Sequence, residues 1–252
     1  VTPYWQGDGI TLYHGDCRDI LPALKADCVI TDPPYEETSR EWDKWPEGWL
    51  DAASAAANSL WCFGSLRLFL TRHGEYAAAG WKLSHDIIWE KQNGSGFAPG
   101  RFHRIHEQAA HWYTGKWAEI YHKVPELAGA TRKNVTRRQL EPGQHGARGA
   151  SSYDTGYARQ AVTVIRARNM HRIGIHPSEK PVAVLAPLLR HACPPGGLVI
   201  DPFAGSGSAL ETARALGMKA IGIEISENEC EKAARRLDQQ ALPLDLTPDQ
   251  AL

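Results

Sequence analysis

The chain has 252 residues, enough to bury one large core, alone or with a modest insertion. It is 42% hydrophobic and 23% charged with a net charge of −1. No apolar run reaches the length of a membrane span, and the start VTPYWQGDGITLYHGD has neither the basic leader nor the apolar core of a signal peptide, which argues against a membrane protein and against export. In chain order, Ile10–Tyr13 predicts a short strand, Arg18–Leu24 a helical turn, and Asp27–Thr31 an apolar strand that the prolines of Asp32-Pro33-Pro34-Tyr35 terminate. A loop with Trp42, Trp45 and Trp49 follows, then a helix over 48–58, a strand at Leu60–Phe63, a helix over 65–79 and strands at 84–90 and Gln108–Tyr113.

From 114 to 175 the pattern weakens into Gly, Pro, Ser and Arg clusters with short β-rich pieces such as AVTVIRA, which reads as an inserted recognition region with a disordered centre near 131–160. Residues 121–180 hold eleven Lys/Arg against four acids, a local charge of +7 that leaves −8 elsewhere. Such a segment is either a solvated basic loop or a localised nucleic-acid surface on an acidic protein. Trp42, Lys44, Arg132, Lys133, Arg137, Arg138, Arg166 and Arg168 are the candidate contacts.

Regularity returns after 176. Lys180–His191 predicts a helix with Pro181 in its first turn, followed by a strand at 198–201, a glycine loop at 202–207, a helix at 208–216, a strand at 219–224 and a helix at 227–238. Strand, glycine loop, helix and a strand ending on an acid form half of a Rossmann-like site. About fourteen residues follow the last helix, so the rest of that sheet is expected from residues 10–113. The expected fold is therefore α/β: a circularly permuted Rossmann-like sheet with helices on both faces, built from residues 1–113 and 176–252 with 114–175 inserted. Permutation brings Asp32 and Asp201 to one sheet edge.

Chemistry concentrates in two places. In DPFAGSGSA, Gly205 and Gly207 allow close backbone approach, and Glu224, 23 residues beyond Asp201, suits two ribose hydroxyls. The loop lacks GxGxxG, and its acid disfavours phosphate; a cationic, phosphate-free cofactor such as S-adenosylmethionine fits better, while a purely structural turn is the alternative. In Asp32-Pro33-Pro34-Tyr35, a carboxylate, a donor-free backbone and an aromatic face suit an exocyclic amine, the alternative being a turn with a packed tyrosine.

Together with HGD at 14–16 and HPSEKP at 176–181, these motifs resemble the amino-group DNA methyltransferases that use S-adenosylmethionine, in their permuted beta arrangement. The resemblance implies a catalytic set of Asp32, Pro33, Pro34 and Tyr35. It implies cofactor contacts from Asp16 (adenine), Ser178 and Lys180 (methionine end), Asp201, Phe203, Gly205, Ser206, Gly207 and Glu224 (ribose). It further implies direct methyl transfer to a flipped-out base in DNA, adenine N6 ahead of cytosine N4 because Asp32 opens the tetrapeptide. No Pro-Cys pair supports cytosine-C5 chemistry. The tryptophan loop is either a lid or packing for the next helix, and His106-Glu107 either shapes the pocket or is a surface pair. His103, His106 and His111 lie on one strand without a ligating arrangement, so no metal is expected. The five scattered cysteines read as reduced thiols, and the expected compartment is cytoplasmic. A homodimer is in keeping with the resemblance, as is a role in restriction-modification or as a phage-borne enzyme. The remaining alternatives are RNA or protein-amide methylation, a non-enzymatic cofactor-binding DNA subunit and a nicotinamide dehydrogenase.

Overall fold

The computed structural model describes residues 2–95, 99–125, 134–137, 151–154, 161–168 and 179–239, with the backbone alone for 92–95, 134–137 and 151–154. The elements in chain order are β1 (Trp5–Gly7), β2 (Ile10–His14), α1 (Cys17–Ile20), β3 (Cys28–Thr31), α2 (Trp49–Ala56), β4 (Ser59–Gly64), α3 (Leu66–Ala78), β5 (Lys82–Ser95), β6 (Arg104–Tyr113), β7 (Asn134–Arg137), β8 (Ser151–Asp154), β9 (Val164–Arg166), α4 (Val182–Ala192), β10 (Leu198–Asp201), α5 (Ser208–Ala215), β11 (Lys219–Glu224) and α6 (Glu227–Asp238).

Nine strands form one sheet in the order β1-β2-β11-β10-β3-β4-β6-β5-β9. β10 is parallel to both β11 and β3, pairing Val199 with Cys28 and Ile200 with Val29. The C-terminal strands thus occupy the middle of a sheet begun by N-terminal ones, which is the permuted order expected.

The central strands read as apolar runs because both of their faces are buried. On β3, Cys28 and Ile30 join one core and Val29 the other; on β4, Trp61 and Phe63 alternate with Leu60 and Cys62 in the same way. The helices α4, α5 and α6 cover the first face, and α1, α2 and α3 the second. Trp61 and Phe63 are both 1% exposed. Each such side chain stabilises the fold by about 1.5–3 kcal/mol.

Four features differ from the sequence reading. β1 pairs with β2 as an edge strand. β5 and β6 extend beyond their apolar stretches because they continue to pair with each other, with an irregularity between Glu90 and Ser95. Pro181 caps α4 from an extended conformation and does not lie within its first turn. Inside the stretch expected as an insertion, β9 joins the main sheet beside β5, while Ile165 and Ala167 pack on the core and Trp89 Nε1 donates to the Ala167 carbonyl at 2.9 Å. β7 and β8 pair with each other, antiparallel, in a separate two-stranded sheet. All five cysteines are buried and free. Among the described residues, no helix is long and apolar enough to cross a membrane.

Candidate active site

After β3 the chain passes to the face of α2, and after β10 to the face of α5, so a crevice opens at the carboxyl ends of these neighbouring strands. A cavity of about 380 Å³ fills it. Of the residues singled out from the sequence, Asp32, Pro33, Pro34, Tyr35, Trp42, Lys180, Asp201, Phe203, Gly205, Ser206 and Glu224 line this cavity.

The β3 side carries a connected set of polar groups. The Tyr35 hydroxyl donates to Asp32 Oδ1, and the Lys180 ammonium donates to Asp32 Oδ2. Lys180 Nζ also lies 3.3 Å from Glu107 Oε2, while Lys91 pairs with the other oxygen of Glu107. Burial works against the Lys180 charge, but the Asp32 and Glu107 carboxylates outweigh it and hold its pKa above the usual lysine value. Burial of Tyr35 and the neighbouring Asp32 charge push its phenol well up. Lys180 therefore sits on the Asp32 carboxylate, a partnership that no local motif announces, and Glu107, which does not line the cavity, reaches the site through Lys180.

The β10 side is built around backbone. Gly205 has φ +50, and a Cβ there would meet nothing within 4 Å, so the loop leaves open cavity beside it. Its N–H donates to Glu224 Oε2 at 2.8 Å, and Ser226 N–H donates to Glu224 Oε1 at 2.8 Å. Burial raises the Glu224 pKa against these bonds. Asp201 Oδ1 accepts from Thr31 Oγ1 at 2.8 Å and from Phe203 N–H at 3.1 Å, tying β10 to the strand that carries Asp32. Burial pushes the Asp201 carboxyl up to about 7. Phe203 meets Trp49 edge-on with centroids 5.3 Å apart.

A buried arginine supports this loop from beneath. Arg236 Nη1 donates to the Ser206 carbonyl at 3.0 Å, Nη2 pairs with Glu179 at 2.6 Å and Nε with Glu211 at 3.2 Å. In the sequence Arg236 reads as one more charge on the polar side of α6.

Several expected contacts fall elsewhere. Gly207 does not line the cavity: with φ +79 and Ala233 Cβ 3.2 Å from where its own Cβ would stand, it lets α5 pack against α6. Asp16 does not line it either. It caps α1 by accepting from Arg18 N–H at 2.9 Å and pairs with the Arg18 guanidinium at 2.5 Å, which holds its carboxyl below the ordinary aspartate range. The tryptophans divide: Trp45 and Trp49 are buried against α2 and α3, whereas Trp42 is 60% exposed at the cavity with the Arg40 guanidinium 5.7 Å from its ring. Lys44 and Arg168 are exposed, and Arg166 Nε pairs with Glu90 at 3.0 Å on the edge strand. Arg132, Lys133, Arg138 and Ser178 lie outside the described residues, as does the side chain of Arg137.

Shape and donor set suit a nucleoside bearing a cationic group. Glu224 stands at the strand end where ribose hydroxyls find an acceptor, the Gly205 backbone admits close approach, and Phe203 and Ile225 supply apolar surface. The arrangement therefore fits S-adenosylmethionine, with Asp201 and Glu224 as its acidic boundary.

Comparisons with known proteins agree with this fold. The type II methyltransferase M.ScaI of Streptomyces caespitosus is 22% identical over 264 aligned positions, covering 96% of this chain and 86% of that protein. The crystal structure of the M1.HpyAVI–SAM complex shares the fold with a TM-score of 0.63 at 20% identity, covering 90% of this chain and 99% of that one. The cytosine-N4-specific PvuII DNA methyltransferase has a TM-score of 0.66 at 14% identity, covering 95% of this chain and 90% of that one. The DNA methylase family N6_N4_Mtase matches residues 26–235. With most of its length matched, the chain belongs to this family of S-adenosylmethionine-dependent DNA methyltransferases, which act on adenine or cytosine.

Proposed function

We propose that the chain methylates the exocyclic N6 amine of an adenine flipped out of DNA. The observation that carries the adenine reading is the carboxylate at the head of the tetrapeptide: Asp32 stands at the cavity wall, held by Tyr35 on one oxygen and Lys180 on the other.

S-adenosylmethionine supplies a methyl group already activated on a sulfonium. The protein's share is alignment and polarity. An aromatic amine is a weak nucleophile because its lone pair is delocalised into the ring. Asp32 and the Pro33 carbonyl accept its two N–H groups and favour a more pyramidal nitrogen whose lone pair points at the methyl. Each carboxylate oxygen has a second acceptor site, so Tyr35 and Lys180 fix Asp32 without exhausting it. The amine sheds one proton as it gains the methyl group, and Asp32 is the base within reach. Tyr35 and Phe63 offer the ring faces that hold the base, and Trp42 at the rim fills the space the base leaves or stacks on its neighbour. On the cofactor side, Glu224 takes the ribose, Ile225 and Phe203 flank the adenine, and Asp201 faces the cationic end.

Cytosine N4 is the second reading. It is favoured by the likeness to the cytosine-N4-specific PvuII enzyme, and the same two acceptors serve its amine equally well. Digestion of DNA methylated by the purified protein, followed by mass identification of the nucleosides, separates the two. N6-methyladenine is expected. N4-methylcytosine would overturn the base assignment and leave the mechanism intact, and methylation of RNA alone would overturn the DNA substrate.

A further inference from the structure

Three histidines from three elements converge on one face of the sheet. Register sets His111 of β6 between His85 of β5 and Trp61 of β4, and α4 lays His191 against them. One ring nitrogen from each histidine lies within 4.8 Å of those of the other two. The ring centroids of the three are 4.9 to 5.3 Å apart. None of the three lines the cavity.

The expectation of no metal considered His103, His106 and His111 on one segment; the partners of His111 come instead from β5 and α4. Two observations distinguish the cluster from ordinary packing. His111 and His191 are 0% and 5% exposed, and the Nδ1 atom of each is buried without a hydrogen-bond partner. Orphaned buried nitrogens are rare in native structures. The opposite ring edges are already held: Ser59 Oγ lies 2.9 Å from His111 Nε2, and Ser84 Oγ lies 2.8 Å from His85 Nδ1. Fixing the far nitrogen of an imidazole by a second group is how ligating histidines are oriented.

We propose that His85, His111 and His191 bind a divalent transition metal of the zinc class, with a water in the fourth position. Three neutral imidazoles without a carboxylate suit zinc, copper or nickel and not calcium or magnesium. Burial, reinforced by the neighbouring imidazoles including His122, lowers the His111 and His191 pKa values and keeps both in the ligating form at neutral pH. Bonds of about 2.0–2.1 Å place tetrahedral nitrogens about 3.3 Å from one another, so binding would draw the three rings in from their present spacing of up to 4.8 Å. The metal would clamp the C-terminal end of α4 to β5 and β6. The N-terminal end of the same helix follows Lys180, so the clamp steadies the helix that presents Lys180 to Asp32.

The test uses the full chain without a histidine tag, cleared of metal with a chelator. Titration with Co(II) is expected to produce a visible ligand-field band that saturates at one ion per chain, Zn(II) to displace it, and Zn(II) to raise the melting temperature. His85→Asn and His191→Ala are each expected to weaken Zn(II) binding by about 100-fold or more, and the exposed His103→Ala to leave it unchanged. His85 is half-buried, so His85→Asn keeps the fold and decides the matter if His191→Ala does not fold. Absence of the band at equimolar Co(II), or a band that survives His85→Asn, would overturn the proposal.

Discussion

The Asp43 carboxylate accepts the backbone N–H of Tyr35 at 2.8 Å, so a residue of the tryptophan loop holds the turn that carries Asp32. It also accepts from the N–H groups of Glu36 at 2.8 Å, Glu37 at 3.1 Å and Thr38 at 2.7 Å, and from the Thr38 hydroxyl at 2.6 Å. Successive N–H groups converging on one anion form a nest, and Glu36 takes the left-handed φ of +58 that curls the chain around it. Burial alone would raise the Asp43 pKa, but these hydrogen bonds outweigh it and hold the carboxyl below the ordinary range.

Asp43→Ala leaves four converging N–H groups without their acceptor and is expected to cost about 3 kcal/mol or more. Because the folded pKa is depressed, the carboxylate's contribution is complete above the unfolded value of about 4 and disappears as pH falls through the lower folded value. Melting curves at pH 7 and pH 3 check this: the gap between wild type and Asp43→Ala should be wider at pH 7 than at pH 3. An equal gap at both would show that the charge is not what organises the turn.

Trp42 and Trp45 stand three positions apart and are expected to respond oppositely. Trp45 packs edge-on against Trp49 at 5.7 Å and donates to Glu75 at 2.7 Å, so Trp45→Ala should cost about 3–5 kcal/mol of stability. Trp42→Ala should leave the melting temperature nearly unchanged and weaken DNA binding by about tenfold, the worth of one stacked base. Thermal melts and a DNA titration on both variants check the division.

Lys180 is buried between two carboxylates. Lys180→Met leaves Asp32 and Glu107 facing each other and is expected to cost about 3–5 kcal/mol, with kcat falling by more than about 100-fold. Glu107→Gln keeps the Lys180–Asp32 pair and should lose far less in both respects. Steady-state kinetics with the KM for S-adenosylmethionine as a second readout distinguishes this from a cofactor contact. A Lys180→Met variant with raised KM and normal kcat would place Lys180 on the methionine end.

Asp201 gives a pH signature of its own. Its folded pKa, about 7, lies above the ordinary aspartate value, so between about pH 4 and 7 the folded state binds a proton that the unfolded state has lost. Stability therefore falls as pH rises through that window, by about 1.4 kcal/mol per pH unit from this residue, and levels off above it. Asp201→Asn keeps the acceptor for Thr31 and Phe203 and should remove that slope. Binding of S-adenosylmethionine should tighten as pH rises from 6 to 8 in the wild type and stay flat in Asp201→Asn. Calorimetric titrations across that range check the second half.

The sheet is legible because its central strands are largely buried on both faces, and Cys28–Ile30, Leu198–Ile200 and Ala220–Ile223 therefore read as short apolar runs that end near acids. β1 escaped notice because Trp-Gln-Gly is too short to show a period, and β9 because three residues gain their strand character from β5. Asp32, Tyr35 and Gly205 belong to contiguous motifs with their own chemistry, and Glu224 is marked by its spacing from Asp201 at the end of the next strand. Residues that act across the fold left no local signal. Nothing in the local sequence sets Asp43 apart from the other loop acids, or Arg236 from the other charges of α6. His191 lies 80 positions from His111, and only the seating of α4 on β6 reveals their meeting.

The most direct test of the account compares Asp32→Ala with the wild type in single-turnover methyl transfer to unmethylated DNA, alongside calorimetric binding of S-adenosylmethionine. In the proposed mechanism Asp32 receives the amine and does not contact the ribose, so transfer should fall by about 100-fold or more while the cofactor Kd stays within about threefold. Transfer at the wild-type rate in Asp32→Ala would contradict the central claim that this carboxylate receives the target amine.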